Sequence, residues 1–109
     1  MAQFVDPADL CERLLSAGER YVEFARRPGL SAGLYRLAVG EPDPQSPHTE
    51  DEVYVVLSGV AILSAGGAEI PVTSGSIAFV AAGETHRFHS IAEDLLVAVI
   101  FGPAEGTNS

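Results

Sequence analysis

The chain has 109 residues, 47% of them hydrophobic, and a formal charge of −9 from 15 acidic and 6 basic residues. That length holds one domain with its own core, and the apolar share excludes disorder as a description of the whole. The basic residues are six scattered arginines with no lysine, which excludes the cationic stripe of a nucleic-acid binder and any attraction to an anionic membrane.

One helix is expected, within residues 1–20. Asp6 is placed to cap it, Pro7 suits the first helical position, and Asp9 sits in the electropositive first turn. Leu10, Leu14 and Leu15 make an apolar stripe, and Gly18 is the stop. About three turns of helix are too few to stand alone, so the segment must dock on the rest of the chain. Cys11 lies on this helix without a basic neighbour and reads as a buried small hydrophobe. A single cysteine cannot make an internal disulfide, which fits a reducing, cytoplasmic setting. No apolar run reaches the roughly 20 residues of a membrane span. Met1-Ala2-Gln3-Phe4 lacks the charged lead and long apolar stretch of a signal peptide.

Residues 21–102 read as strand and turn. Candidate strands are 21–25, 30–39, 53–57, 60–63, 69–72, 76–80, 85–91 and 95–101, separated by Pro28-Gly29, the 40–47 loop, Gly59, 65–68, Ser74-Gly75, Ala82-Gly83 and Glu93-Asp94. Short strands without intervening helices predict an all-β antiparallel sandwich or barrel. Pro71 marks an edge or a strand end, because it has no N–H to donate. The small, polar stretch 103–109 is expected to fray.

Metal-ligand residue types gather in two places, Ser46-Pro47-His48-Thr49-Glu50-Asp51-Glu52 and His86-Arg87-Phe88-His89. On one straight strand His48 and Glu52 would stand about 13 Å apart at roughly 3.3 Å per residue. One ion needs both donors within about 2.0–2.2 Å of itself. The pair therefore shares an ion only if the chain bends between them, and the polar Thr49-Glu50-Asp51 stretch allows that.

The spacing resembles that of a small single-domain bacterial cupin. The family's first motif (Gly, five residues, His-x-His, three or four residues, Glu, six residues, Gly) is matched by Gly40, Ser46-Pro47-His48, Glu52 and Gly59, with serine where the first histidine belongs. The second (Gly, five residues, Pro-x-Gly, two residues, His, three residues, Asn) is matched by Gly75, Ala81-Ala82-Gly83, His86 and Ser90, with alanine for proline and serine for asparagine. The resemblance implies a double-sheet jelly-roll barrel with His48, Glu52 and His86 as metal ligands. Two histidines and one carboxylate suit Fe(II) or Zn, with Ni or Mn also compatible. Water at Ser46, or the Glu50 carboxylate, is the candidate for the vacated fourth position. Because imidazole must be neutral to ligate, metal should leave as pH falls through and below about 6.

Alternation from Glu52 turns Tyr54 and Val56 inward, and alternation from His86 turns Phe88 inward and His89 and Arg87 away. With Ser46 and Arg36, which shares parity with Leu34 and Ala38, these residues make the expected pocket for a small molecule. For Arg36 an ion pair with one of the abundant acids is the favoured role, and bidentate binding of a substrate carboxylate is the alternative. Val53, Val55 and Leu57 face outward and need cover, and the resemblance implies a homodimer. The functional readings are oxidation of a small organic molecule at Fe(II), which is favoured, isomerase, cyclase or lyase chemistry at a redox-inert ion, and non-catalytic binding or sensing of a small ligand.

Overall fold

A computed structural model describes residues 2–45 and 47–107, so Ser46 of the expected site lies outside the described residues. Helix α1 (Pro7–Ala17) begins where the Asp6 carboxylate accepts from the Ala8 N–H at 2.9 Å, and it ends at Gly18 in the left-handed conformation. Its apolar stripe is narrower than its spacing suggests. Leu10 and Leu14 are buried, Cys11 is half-buried, and Leu15 remains 57% exposed. Docking on the first two strands holds the short helix in place.

Six strands follow: β1 (Tyr21–Arg27), β2 (Leu30–Leu37), β3 (Asp51–Ala65), β4 (Ala68–Val72), β5 (Ile77–Val80) and β6 (His86–Gly102). All pairings are antiparallel, in the order β1-β2-β6-β3-β4, with β5 also on β3. This is the expected all-β jelly-roll. Pro71 lies opposite Ile62 on the edge strand β4, the kind of position to which proline is confined within sheets.

Eight expected strands are six because two of the expected turns are bulges inside long strands. The β3–β6 ladder shifts register at Val56/Ser58, Ser58/Val60 and Val60/Ile62. Each bulge bends the ribbon and adds twist, so two strands of this length wrap around a core instead of lying flat. Gly59 sits at the centre with φ 105°, and a Cβ there would lie 2.4 Å from the Asp94 carbonyl oxygen. Glycine is thus required by the close approach of β6, not by a reversal of the chain.

The bulges also exchange faces. On β3 the buried positions are even up to Val56 and odd from Ala61, and on β6 they are even up to Phe88 and odd from Ile91. Ser90, with φ 52°, stands at the change on β6. The interior is filled from β2 through β6, with Tyr54, Leu63, Phe88 and Leu95 among its most buried members. A separate layer lies under the helix, where Leu10 and Leu14 are buried with Ala32 and Leu34 on the other face of β2.

Residues 104–106 of the stretch expected to fray are hydrogen-bonded to the barrel. The Ala104 N–H donates to the Pro28 carbonyl at 3.3 Å, the Glu105 N–H to Ser31 Oγ at 2.9 Å, and the Gly106 N–H to Glu50 Oε1 at 3.1 Å. Ala104 is buried, and the Arg26 guanidinium donates to the Glu105 carbonyl at 2.8 Å. The stretch has few apolar residues, but its backbone donors find acceptors on the barrel. Among the described residues no helix is long and apolar enough to cross a membrane.

Candidate metal centre

The chain bends at Thr49–Glu50, immediately before β3, as a shared ion would require. Two hydrogen bonds clamp this bend to the turn preceding β6. The Gly83 N–H donates to the His48 carbonyl at 2.7 Å, and the Ala82 N–H to an Asp51 carboxylate oxygen at 2.9 Å. His86 therefore opens β6 facing Glu52 near the start of β3. One nitrogen from each of His48 and His86 and one oxygen of Glu52 all lie within 4.8 Å of one another.

The electrostatics of this cluster call for a cation. His86 Nδ1 lies 2.8 Å from the Glu84 carbonyl, and a carbonyl only accepts, so Nδ1 carries the hydrogen. In the neutral ring Nε2 is then a lone pair, which is the usual arrangement of a ligating histidine. That atom stands 3.1 Å from Glu52 Oε1, and both side chains are 1% exposed. The approach is close enough for an ion pair but is not aligned as a hydrogen bond. His86 Nε2 and both Glu52 oxygens are buried without a hydrogen-bond partner. An unpaired buried carboxylate costs several kcal/mol, and a divalent ion between these donors removes that cost. The donor set fits such an ion.

Without the ion, a proton is the substitute. Burial lowers the pKa of His86, but the adjacent Glu52 carboxylate, the Glu84 carbonyl and the negative charge of Asp43 outweigh it, and the net effect is upward. His48 is less enclosed. Its ring meets Phe101 edge-on at 4.8 Å and lies 5.9 Å from the His86 ring, while Nδ1 is 3.6 Å from a Glu105 carboxylate oxygen. Glu105 thus places a carboxylate behind the candidate ligand from the segment expected to be loose. Glu50, the candidate fourth donor, is buried and accepts from the Gly106 N–H and the Thr49 hydroxyl, and it is not among the converging donors.

Residues 33–101, which hold all three donors, match the Cupin domain family. The chain belongs to the cupin family. This cupin is 47% identical over 85 residues to the uncharacterized protein SCO3923 of Streptomyces coelicolor, covering 78% of this chain and 81% of the relative. TT1209 from Thermus thermophilus superposes with TM-score 0.77 at 22% identity, covering 94% of this chain and 99% of the other. KdgF from Halomonas sp. gives 0.69 at 20% identity over 76% of each chain. Both structures share the fold with this cupin.

A cavity of about 160 Å³ adjoins the cluster, lined by Tyr21, Tyr35, Gln45, Val99, Phe101 and Glu105 together with His48 and Glu52. Of the residues expected to form the pocket, Ser46 lies outside the described residues, and Tyr54, Val56, Phe88 and Arg36 are not in the lining of this cavity. Tyr54, Val56 and Phe88 do face inward, but they are 0–2% exposed and belong to the packed core. The Tyr54 ring lies 5.9 Å from the His86 ring and 4.9 Å from Phe88. Arg36 is outside the barrel of this cupin, in an ion pair with Asp94 at 3.1 Å. The parity it shares with Leu34 leads to the helix layer, not to the interior. His89 faces away from His86, with its ring nitrogens 2.6 Å from Glu69 and 2.9 Å from Ser90 Oγ, and Arg87 is exposed.

Sequence reasoning also passed over Asp43. This buried carboxylate accepts from the Tyr35 hydroxyl at 2.6 Å, the Phe88 N–H at 2.8 Å, the Gln45 side-chain amide at 2.8 Å and the Gln45 N–H at 3.2 Å. Gln45 in turn accepts from the Tyr54 hydroxyl at 3.0 Å. Burial, and then the bond to Asp43, push the Tyr35 phenol up, so it stays a donor. One acid thereby fixes two residues of the cavity wall.

Proposed function

We propose that this cupin holds one divalent metal ion on His48, Glu52 and His86 and acts on a small organic molecule bound in the adjoining cavity. The observation that carries this reading is the buried trio of unpartnered atoms, His86 Nε2 and the two Glu52 oxygens. Bound there, Fe(II) supplies oxidation by dioxygen, whereas Zn supplies polarisation of a carbonyl, and Ni or Mn suit the same donors. Oxidation is favoured because two histidines and one carboxylate are the ligand set of non-haem Fe(II) oxygenases.

The side chains of this chain prepare the site. The Glu84 carbonyl sets the His86 tautomer, and Glu105 stands behind His48. Val99 and Phe101 give the cavity an apolar wall, and the Asp43 network fixes Gln45 and Tyr35. The unpaired Cys11 suits a cytoplasmic setting. Ile77 and Phe79, 73% and 65% exposed and in register with Val55 and Val53, make an apolar face that a second copy would cover.

The test is elemental analysis of protein purified anaerobically, followed by oxygen-uptake assays over small carbonyl, enol and phenolic compounds. Close to one equivalent of metal per chain, with uptake for some compound, is expected. Protein that takes up no divalent ion overturns the reading. Metal with ligand binding but no turnover would favour a non-catalytic binding cupin. The cavity wall lends that second reading support, since its one carboxylate besides Glu52 is Glu105, already beside His48.

The pH dependence has a defined sign. A proton on His86 competes with the ion, and its raised pKa moves that competition above the ordinary 6.5. Metal affinity should therefore begin to fall at a higher pH than the value near 6 expected of an ordinary histidine. Chelated protein should behave oppositely. Its protonated His86–Glu52 pair stabilises the fold below the unfolded pKa and loses that contribution as pH rises through the folded pKa. Thermal midpoints with and without chelator, followed from pH 6 to about 8.5, should diverge as pH increases.

A further inference from the structure

Tyr21 opens β1 and carries a polar atom that folding does not explain. The chain has three tyrosines. The Tyr35 hydroxyl donates to Asp43 and the Tyr54 hydroxyl to Gln45, whereas the Tyr21 hydroxyl oxygen is buried with no hydrogen-bond partner. Phenylalanine would fill the same space without leaving a buried donor unmet.

The barrel makes room for this phenol. A Cβ on Gly33 of β2 would lie 2.2 Å from the Tyr21 hydroxyl oxygen and 2.3 Å from its Cζ, so the ring occupies the place a side chain would take. Gly33 stands opposite Val99 in the β2–β6 ladder. Val99, Glu52 and Glu105 line the same cavity as Tyr21. Burial, then the nearby acids Glu105, Glu23 and Glu52, push the phenol up, so it remains protonated and able to donate.

We propose that the Tyr21 hydroxyl positions the bound molecule, donating to one oxygen of a small carbonyl compound whose neighbouring oxygen reaches the ion held by His48, Glu52 and His86. This rests on the metal reading above. The cavity and its lining select the class of compound. A volume of about 160 Å³ admits only a small molecule, and no arginine or lysine lines it. Two carboxylates, Glu52 and Glu105, already balance a divalent ion, so a compound entering uncharged is favoured over one bringing further negative charge. Val99 and Phe101 take its apolar side.

The test compares wild type with Tyr21→Phe, both loaded with Zn, using two probes in calorimetric titrations. Acetohydroxamic acid enters neutral and offers two adjacent oxygens, while imidazole reaches the ion through one nitrogen and has no oxygen for Tyr21. Tyr21→Phe is expected to keep the wild-type metal content and to bind acetohydroxamic acid about five- to tenfold more weakly. Imidazole binding should be unchanged, and the thermal midpoint of the metal-free variant should be equal or higher. Equal effects on the two probes, or none on either, overturns the proposal. So does a lowered midpoint with unchanged probe binding, which would make the hydroxyl structural. Wild-type protein that holds no Zn overturns the metal reading itself, and elemental analysis reveals this before any probe is added.

Discussion

His86→Ala protein is expected to lose divalent-metal affinity by roughly a hundredfold or more and to leave purification essentially metal-free by elemental analysis. The substitution removes one of three converging donors, and the one whose tautomer the Glu84 carbonyl has already fixed. It also leaves Glu52, 1% exposed, with one fewer group able to bear a compensating charge. Chelator should lower the thermal midpoint of wild type and have almost no effect on the variant. His89→Ala is the matched control. That imidazole is on the opposite face and is bonded to Glu69, whose exposed carboxyl it holds below the usual range, so metal content should match wild type. Full metal occupancy in His86→Ala would remove His86 from the ligand set.

Asp43→Ala should cost about 3–5 kcal/mol, because it strands several donors at once. The Phe88 N–H and the Tyr35 hydroxyl lose their acceptor in the interior, and Gln45 loses the partner that fixes its side chain. For a domain of this size the thermal midpoint should drop by roughly 15 °C or more, measurable by calorimetry of the metal-free protein. Gln45→Ala should cost much less, since Asp43 keeps Tyr35 and the Phe88 N–H. A small loss for Asp43→Ala would mean that water replaces the carboxylate.

The donors were legible in the sequence because their spacing is local. Gly40 to Gly59 and Gly75 to Ser90 each carry a recognisable interval, and alternation correctly turned His86 and Phe88 one way and His89 the other. Alternation fails where a bulge inserts a residue. Gly59 resembles a turn between two strands until the approach of Asp94 is known, and no rule along one strand foretells the change of face at Ser90. Arg36 forms an ion pair with Asp94, the role the sequence favours for it. Its parity with Leu34 is no guide to the interior, because both faces of β2 are covered, one by the interior and the other by α1. Tyr21, Asp43 and Glu105 left no local trace, since each acts on residues distant in the chain. The bond from Asp43 to Phe88 or the approach of Glu105 to His48 exists only once the barrel has closed.

The pairing of β3 with β6 has a kinetic consequence. Asp51 lies opposite Gly102 and Glu52 opposite Phe101, so the ladder that encloses the donors joins segments far apart in the chain. Closing such a loop is costly in entropy, and folding dominated by non-local pairing is slow. An ion added to unfolded chains meets donors that have not yet converged. Its influence then falls mainly on the lifetime of the native barrel, through slower unfolding, and little on the speed of its formation.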